Sequence, residues 1–139
     1  MSLNISALIR TYNSDQTLES CFRSLSAQTL APQQTIVVDS GSTDDTLEIA
    51  RTHGAKIVHY PHGEEFNYSR ALNIGMELVE TGYTLIISSH VSLPDPDTLR
   101  ILARLLKEDD RRCAASITGR VERPSDTVTG EEEWTPVTR

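Results

Sequence analysis

The chain has 139 residues, 37% hydrophobic and 24% charged, with 13 Lys and Arg against 20 Asp and Glu and a net charge of −7. That is one domain's length with enough apolar residues for a core. The acidic balance argues against a broad nucleic-acid surface, which needs clustered Lys and Arg, and no apolar run approaches the roughly 20 residues of a membrane span. Met1-Ser2-Leu3-Asn4 leads straight into a strand, so no secretory leader is expected. Cys21 and Cys113 lie far apart in apolar patterns and read as buried free thiols of a cytoplasmic protein, a disulfide between them being the alternative.

Taken in order, Asn4 to Thr11 carries Ile5, Ala7, Leu8 and Ile9 and predicts a first strand. Tyr12-Asn13-Ser14-Asp15 breaks it. Asn13 and Gln16 have capping-box spacing, and Leu18, Cys21, Phe22 and Leu25 then recur at helical period. Thr35-Ile36-Val37-Val38 is a β-branched run that stops at Asp39; a turn of small residues, Ser40 to Asp45, leads into a helix through Leu47-Glu48-Ile49-Ala50-Arg51. Ser42 and Asp45 repeat the capping-box spacing, and Ser42, Asp44 and Asp45 read first as helix caps. Lys56 to Tyr60 predicts a short third strand, followed by a loop from His59 to Glu65. A third helix is predicted from about Asn67 to Thr81, with Ala71, Leu72, Gly75, Leu78 and Val79 inward and Gly82 as its stop. Tyr83 to Ser88 predicts a buried strand. Asp95-Pro96-Asp97 opens a fourth helix with Leu99, Leu102, Leu105 and Leu106 inward, and Arg112 to Val121 a last strand. His53, His59 and His62 read as solvated, as do Glu64 and Glu65.

Strands alternating with helices imply an α/β fold, a mostly parallel sheet with helices on both faces. The expected domain is 1–121, with 122–139 an irregular tail that opens a truncated second half. Parallel strands put Thr11-Tyr12-Asn13, Asp39-Ser40-Gly41-Ser42 and Ser88-Ser89-His90 along one rim, where open α/β sheets bind ligands. Helix amino ends on that rim attract phosphate, and Asp39 can accept hydrogen bonds from a ribose or a base N–H. A carboxylate ending a buried strand is costly unless paired, which favours a binding role for Asp39. The rim suits a nucleotide. A flavodoxin-like receiver needs an acidic pair after the first strand, where Arg10-Thr11 stands, and no Gly-x-Gly-x-x-Gly supports a dinucleotide oxidoreductase.

Three segments, Ala7-Leu8-Ile9-Arg10-Thr11-Tyr12-Asn13, Ile36-Val37-Val38-Asp39-Ser40-Gly41-Ser42-Thr43-Asp44 and Ser69-Arg70-Ala71-Leu72-Asn73-Ile74-Gly75, resemble in order and spacing the family 2 glycosyltransferases of the GT-A (Rossmann-like) fold. The resemblance runs from about Ile5 to Leu106. It implies transfer of a hexosyl or deoxyhexosyl group, with inversion, from a UDP- or dTDP-sugar to a saccharide or lipid-linked acceptor, as in polysaccharide biosynthesis. It implies a cytoplasmic protein, able to associate peripherally with the inner face of the membrane. It places Thr11 and Asn13 against base and ribose, Asp39 on the base, Ser40 and Ser42 in the same pocket, and Arg70 near base or diphosphate; apart from the resemblance, Arg70 reads equally as the partner of Asp39 or a nearby acid in a salt bridge. The family keeps an Asp-x-Asp motif at the end of the strand that closes here with Ser88, to hold ribose and a Mg²⁺ or Mn²⁺ bridging the diphosphate. Here Ser88-Ser89-His90 stands instead. Ser88 can bond a ribose hydroxyl, and His90 is the candidate metal ligand or a structural loop residue. The departure opens an alternative, a non-catalytic nucleotide-binding or interaction module of the same fold. The family's general base and acceptor site lie in a carboxyl-terminal half, so no general base is named.

Overall fold

The computed structural model describes residues 3–108. Four strands, β1 (Ile5–Thr11), β2 (Gln34–Asp39), β3 (Lys56–His59) and β4 (Tyr83–Ser88), form one sheet in the order β3-β2-β1-β4. Every pairing is parallel, because each strand is followed by a helix that carries the chain back to the same starting edge. The helices are α1 (Asp15–Ser26), α2 (Thr46–Thr52), α3 (Tyr68–Met76) and α4 (Thr98–Glu108).

Alternation along β1 assigns the two faces. Ile5, Ala7 and Ile9 pack with Leu18, Cys21, Phe22 and Leu25 of α1, Ala50 of α2, and Leu99 and Ala103 of α4. Leu8 joins Ile36 and Val38 beneath Ala71 of α3. Three helices therefore cover one face and α3 the other. Gly75 lets α3 press against the sheet: a Cβ there would fall within 2.8 Å of Val38 Cγ2 and closer still to Leu8 Cδ1. Cys21 is a buried free thiol, and burial pushes its pKa up to about 11.

Several boundaries differ from the sequence expectation. α3 ends at Met76, not Thr81. Beyond it Leu78 N–H and Val79 N–H make tighter turn bonds to Gly75 and Met76, and the Gln34 side chain takes Leu78 O and Glu80 N–H. These bonds end the helix early and bring Thr81 Oγ1 to 2.7 Å from Ser6 Oγ. β3 stops at His59, since Tyr60 turns inward and donates its hydroxyl to Glu65 O. Leu105, expected inward, is exposed on α4; Leu99 and Ala103 carry the buried stripe. His53, expected to be solvated, stacks on Phe22 at 4.5 Å and lies 2.7 Å from Glu19 Oε2. The predicted last strand, Cys113 and the 122–139 tail lie outside the described residues.

Candidate functional site

The carboxyl ends of the strands meet along one rim, and the register sets who faces whom: Thr11 stands opposite Asp39, Arg10 opposite Ser88, and Asp39 opposite His59. Strand order reverses beside β1, between β1 and β4, which is where open α/β sheets hold ligands.

Asp39 is 1% exposed and sits at the centre of the β2–α2 turn. Its Oδ1 accepts from Thr11 Oγ1 at 3.0 Å and Ser42 Oγ at 2.5 Å; its Oδ2 accepts from Gly41 N–H at 3.0 Å and Ser42 N–H at 2.9 Å. Four donors fill the four acceptor positions of a carboxylate. Asp39 therefore turns into its own loop, not into an open cleft. A base N–H can reach it only where a hydroxyl of Thr11 or Ser42 turns away. Gly41 makes the loop possible, with φ at 98°, a left-handed conformation that costs a side-chain-bearing residue dearly.

The loop after β1 is locked to this turn. Asn13, at φ 44°, accepts from Thr43 N–H at 2.8 Å through Oδ1, and its own N–H donates to Ser42 Oγ at 2.9 Å. The capping-box expectations are corrected accordingly: Asn13 and Ser42 bind each other's loops, and the helix N-caps are Ser14 and Asp45, neither with a side-chain cap bond. Asp44 bridges instead, accepting from Asp15 N–H, Thr46 N–H and Thr46 Oγ1. Burial opposes its ionised form, but these bonds outweigh burial and hold its pKa below the usual value. Ser40 N–H donates to Thr11 O.

The loop after β4 joins the same network on one side only. Ser89 is buried and its hydroxyl lies 2.7 Å from Ser14 Oγ, which ties the β4 end to the β1–α1 loop. His90 is exposed in a turn closed by Val91 N–H to Ser88 O. Among the described residues no three His, Cys, Asp or Glu side chains come together where they could hold a metal ion. Hydroxyls and one imidazole, with no carboxylate, are a poor donor set for Mg²⁺ or Mn²⁺, so the strand end by itself does not fit a protein-held cation.

On the α3 side the β1–β4 junction is floored by Arg10 and Ser88, a pair in which the sequence reading singled out only Ser88. Arg10 Nη2 donates to Ser88 Oγ over a long 3.4 Å, and the guanidinium carbon sits 4.6 Å from the centroid of the Tyr68 ring. Arg10 makes no ion pair with any described residue, and its Nε is buried without an acceptor. A buried N–H left unpaired costs about 1–3 kcal/mol. The signal in the sequence is an arginine set directly after the apolar run Ala7-Leu8-Ile9 of a buried strand. Tyr12 and Tyr68 are 62% and 65% exposed along this rim, and Phe66 packs edge to face on Tyr68 and at a tilt on Tyr60. Arg70 does not reach Asp39: it is exposed and paired with Glu64 at 2.8 Å. Asn67, just before α3, caps that helix by accepting from Arg70 N–H.

A groove of about 500 Å³ runs between α1 and α2, lined by Asp15, Gln16, Glu19, Asp45, Glu48, Ile49 and Thr52. Four carboxylates make it hostile to a phosphate-bearing ligand. The rim is the candidate site.

Comparison with known proteins agrees with this fold. The family model described as "Glycosyl transferase family 2" matches residues 6–136. A PGL/p-HBAD biosynthesis glycosyltransferase of Mycobacterium tuberculosis is 30% identical over 109 residues, covering 76% of this chain and 42% of that protein. The chain thus spans under half the length of that curated relative. Among solved structures, glucosyl-3-phosphoglycerate synthase from Mycobacterium tuberculosis in complex with Mn²⁺, UDP and glucosyl-3-phosphoglycerate superposes with a TM-score of 0.62 at 27% identity, over 76% of this chain and 40% of that one. S. aureus TarS 1-349 in complex with UDP gives a TM-score of 0.61 at 26% identity, over 76% and 32%. A four-stranded parallel sheet in this order, the Asp39 turn at its rim and a family match across most of the sequence together place the chain in glycosyl transferase family 2.

Proposed function

We propose that this chain is the donor-binding part of an inverting glycosyltransferase. It takes a nucleoside diphosphate sugar of the UDP or dTDP type and passes a hexosyl or deoxyhexosyl group to a saccharide or lipid-linked acceptor. The observation that carries the reading is the rim itself: Thr11, Asn13, Asp39, Ser40 and Ser42 gathered at the carboxyl ends of adjacent parallel strands, next to the point where strand order reverses. Relatives of this fold solved with UDP support the nucleotide class. Base and ribose lie against Thr11, Asn13 and the Asp39 turn, and Ser88 faces the ribose.

Inversion corresponds to a single displacement. The acceptor hydroxyl loses its proton to a base as its oxygen bonds to the anomeric carbon, the bond from that carbon to the phosphate oxygen breaks, and the nucleoside diphosphate leaves with the bonding pair. The enzyme assists by stabilising negative charge on that leaving group. The synthase of known structure was solved with Mn²⁺. In this chain His90 is the candidate protein ligand; with Ser88 and Ser89 it does not make a metal site by itself, so a cation used here would have to be held mainly by the donor. The unit spans 1–121, with 122–139 opening the acceptor half. It works in the cytoplasm at the inner face of the membrane, though no helix of the described residues is long and apolar enough to cross one.

Isothermal titration with UDP, dTDP, GDP and ADP, each with and without Mn²⁺, tests the reading. UDP or dTDP should bind more tightly than the purine nucleotides, and Asp39→Ala should abolish the preference. Equal, negligible heats from all four would overturn it. One observation favours a binding module without turnover: the strand end that carries paired carboxylates elsewhere in the family holds Ser88-Ser89-His90 here. Pyrimidine nucleotide binding with no release of UDP from UDP-sugars in the presence of acceptor would support that second reading.

A further inference from the structure

The rim has a cation that nothing in the described chain neutralises. Arg10 stands one residue before the end of β1, opposite Ser88, at the junction where strand order reverses. It makes no ion pair with any described residue, its Nε has no acceptor, and its one hydrogen bond is long. Tyr68 holds the guanidinium by its face, which leaves the donor edge free of competing carboxylates. Arg70, the other arginine near the rim, is already engaged by Glu64 at 2.8 Å. The chain as a whole carries −7 and repels phosphate at long range, so an anion needs a local positive group to settle there. At the β4 end, where the family resemblance expects carboxylates and a metal, the residues are Ser88, Ser89 and His90. Ser89 is spent on Ser14. That donor set does not gather a divalent cation, whereas a planar guanidinium with an unpaired N–H matches phosphate oxygens.

Resting on the donor-binding role above, we infer that Arg10 binds the donor's diphosphate at the β1–β4 junction and supplies positive charge there. Ser88 orients the guanidinium through its hydroxyl, and Tyr68 covers it until phosphate arrives. The inference concerns the phosphates alone, so it separates from base recognition at the Asp39 turn.

The test measures the dissociation constants of UDP and uridine, in EDTA, for the full chain and for its Arg10→Gln and Arg10→Lys variants. In the unaltered chain UDP should bind more tightly than uridine. Arg10→Gln should weaken UDP by about tenfold or more, with uridine unchanged, and should flatten the dependence of UDP binding on NaCl. Arg10→Lys, which keeps the charge but loses the fork, should fall between them; it also serves if the glutamine variant does not fold. Variants that fold and bind UDP as tightly as the unaltered chain would overturn the role of Arg10 and leave the nucleotide reading intact. Failure of the unaltered chain to bind either UDP or uridine would overturn both.

Discussion

At the level of single residues, Asp39 carries the sharpest expectation. A buried carboxylate is tolerated only when hydrogen bonds replace its water, and Asp39 has four. Asp39→Asn sets an amide donor against either two backbone N–H groups or two hydroxyls. It should cost about 2–4 kcal/mol of stability, read from urea unfolding. Thr11→Val should cost about 1 kcal/mol, and the double variant less than the sum, because both changes remove the same bond. Strict additivity would show that the Thr11–Asp39 bond contributes nothing. The rim membership of Thr11, Asn13, Asp39, Ser40 and Ser42 was legible, because strand direction alone decides which residues end at one edge. That they satisfy one another was not legible, since the choice of acceptor for each loop N–H turns on shifts of a few tenths of an ångström. Arg10 is less legible, because the contacts that mark it out, with Ser88 and Tyr68, are made across the fold and leave no local signature.

Among the elements, α3 shows how packing overrides pattern. The apolar spacing continues through Leu78 and Val79, yet the helix stops at Met76, where Gln34 from β2 captures the chain. A contact spanning 44 residues, Gln34 to Leu78, has no local signature. Gly75 was legible as an inward position but not as a point of close approach. Gly75→Ala gains up to about 1 kcal/mol of helix propensity and meets overpacking of about 1–3 kcal/mol. Leu8 and Val38 are fully buried and cannot swing aside cheaply, so overpacking should win by about 1 kcal/mol. Thermal unfolding would register the loss, and Leu8→Ala combined with Gly75→Ala should lose less than the two separately. A rise in midpoint for Gly75→Ala alone would mean that the helix backs off the sheet without penalty.

For the whole molecule, the acidic composition and the placement of particular carboxylates pull in opposite directions as pH falls. With 20 acids against 13 bases, the first protons taken up relieve self-repulsion. Among the described residues three acids resist protonation. Glu19 is held below its ordinary pKa by its bond to His53 and then by Arg23, Asp97 by Arg100 and Thr29, and Asp44 by the bonds from Thr46 and Asp15 that outweigh its burial. A folded pKa below the unfolded one stabilises the native state above the unfolded value, and that stabilisation disappears as pH drops through the folded value. The three contributions should therefore be complete at about pH 5 and fade below about pH 4. Because relief of repulsion masks this in a single curve, the difference between the unaltered chain and Glu19→Gln is the informative quantity. That difference should be steady from pH 6 to pH 5 and shrink steadily toward about pH 2, measured by urea unfolding at each pH. Glu19 ties α1 to His53 at the end of α2, and His53 in turn stacks on Phe22, so its protonation should loosen the α1–α2 face before the sheet. Hydrogen exchange at about pH 3 should show faster exchange in α2 than in β1 and β2, and Glu19→Gln should bring that behaviour to neutral pH. A difference that stays constant across the acid range would mean that His53 and Arg23 do not bind the ionised carboxylate in solution.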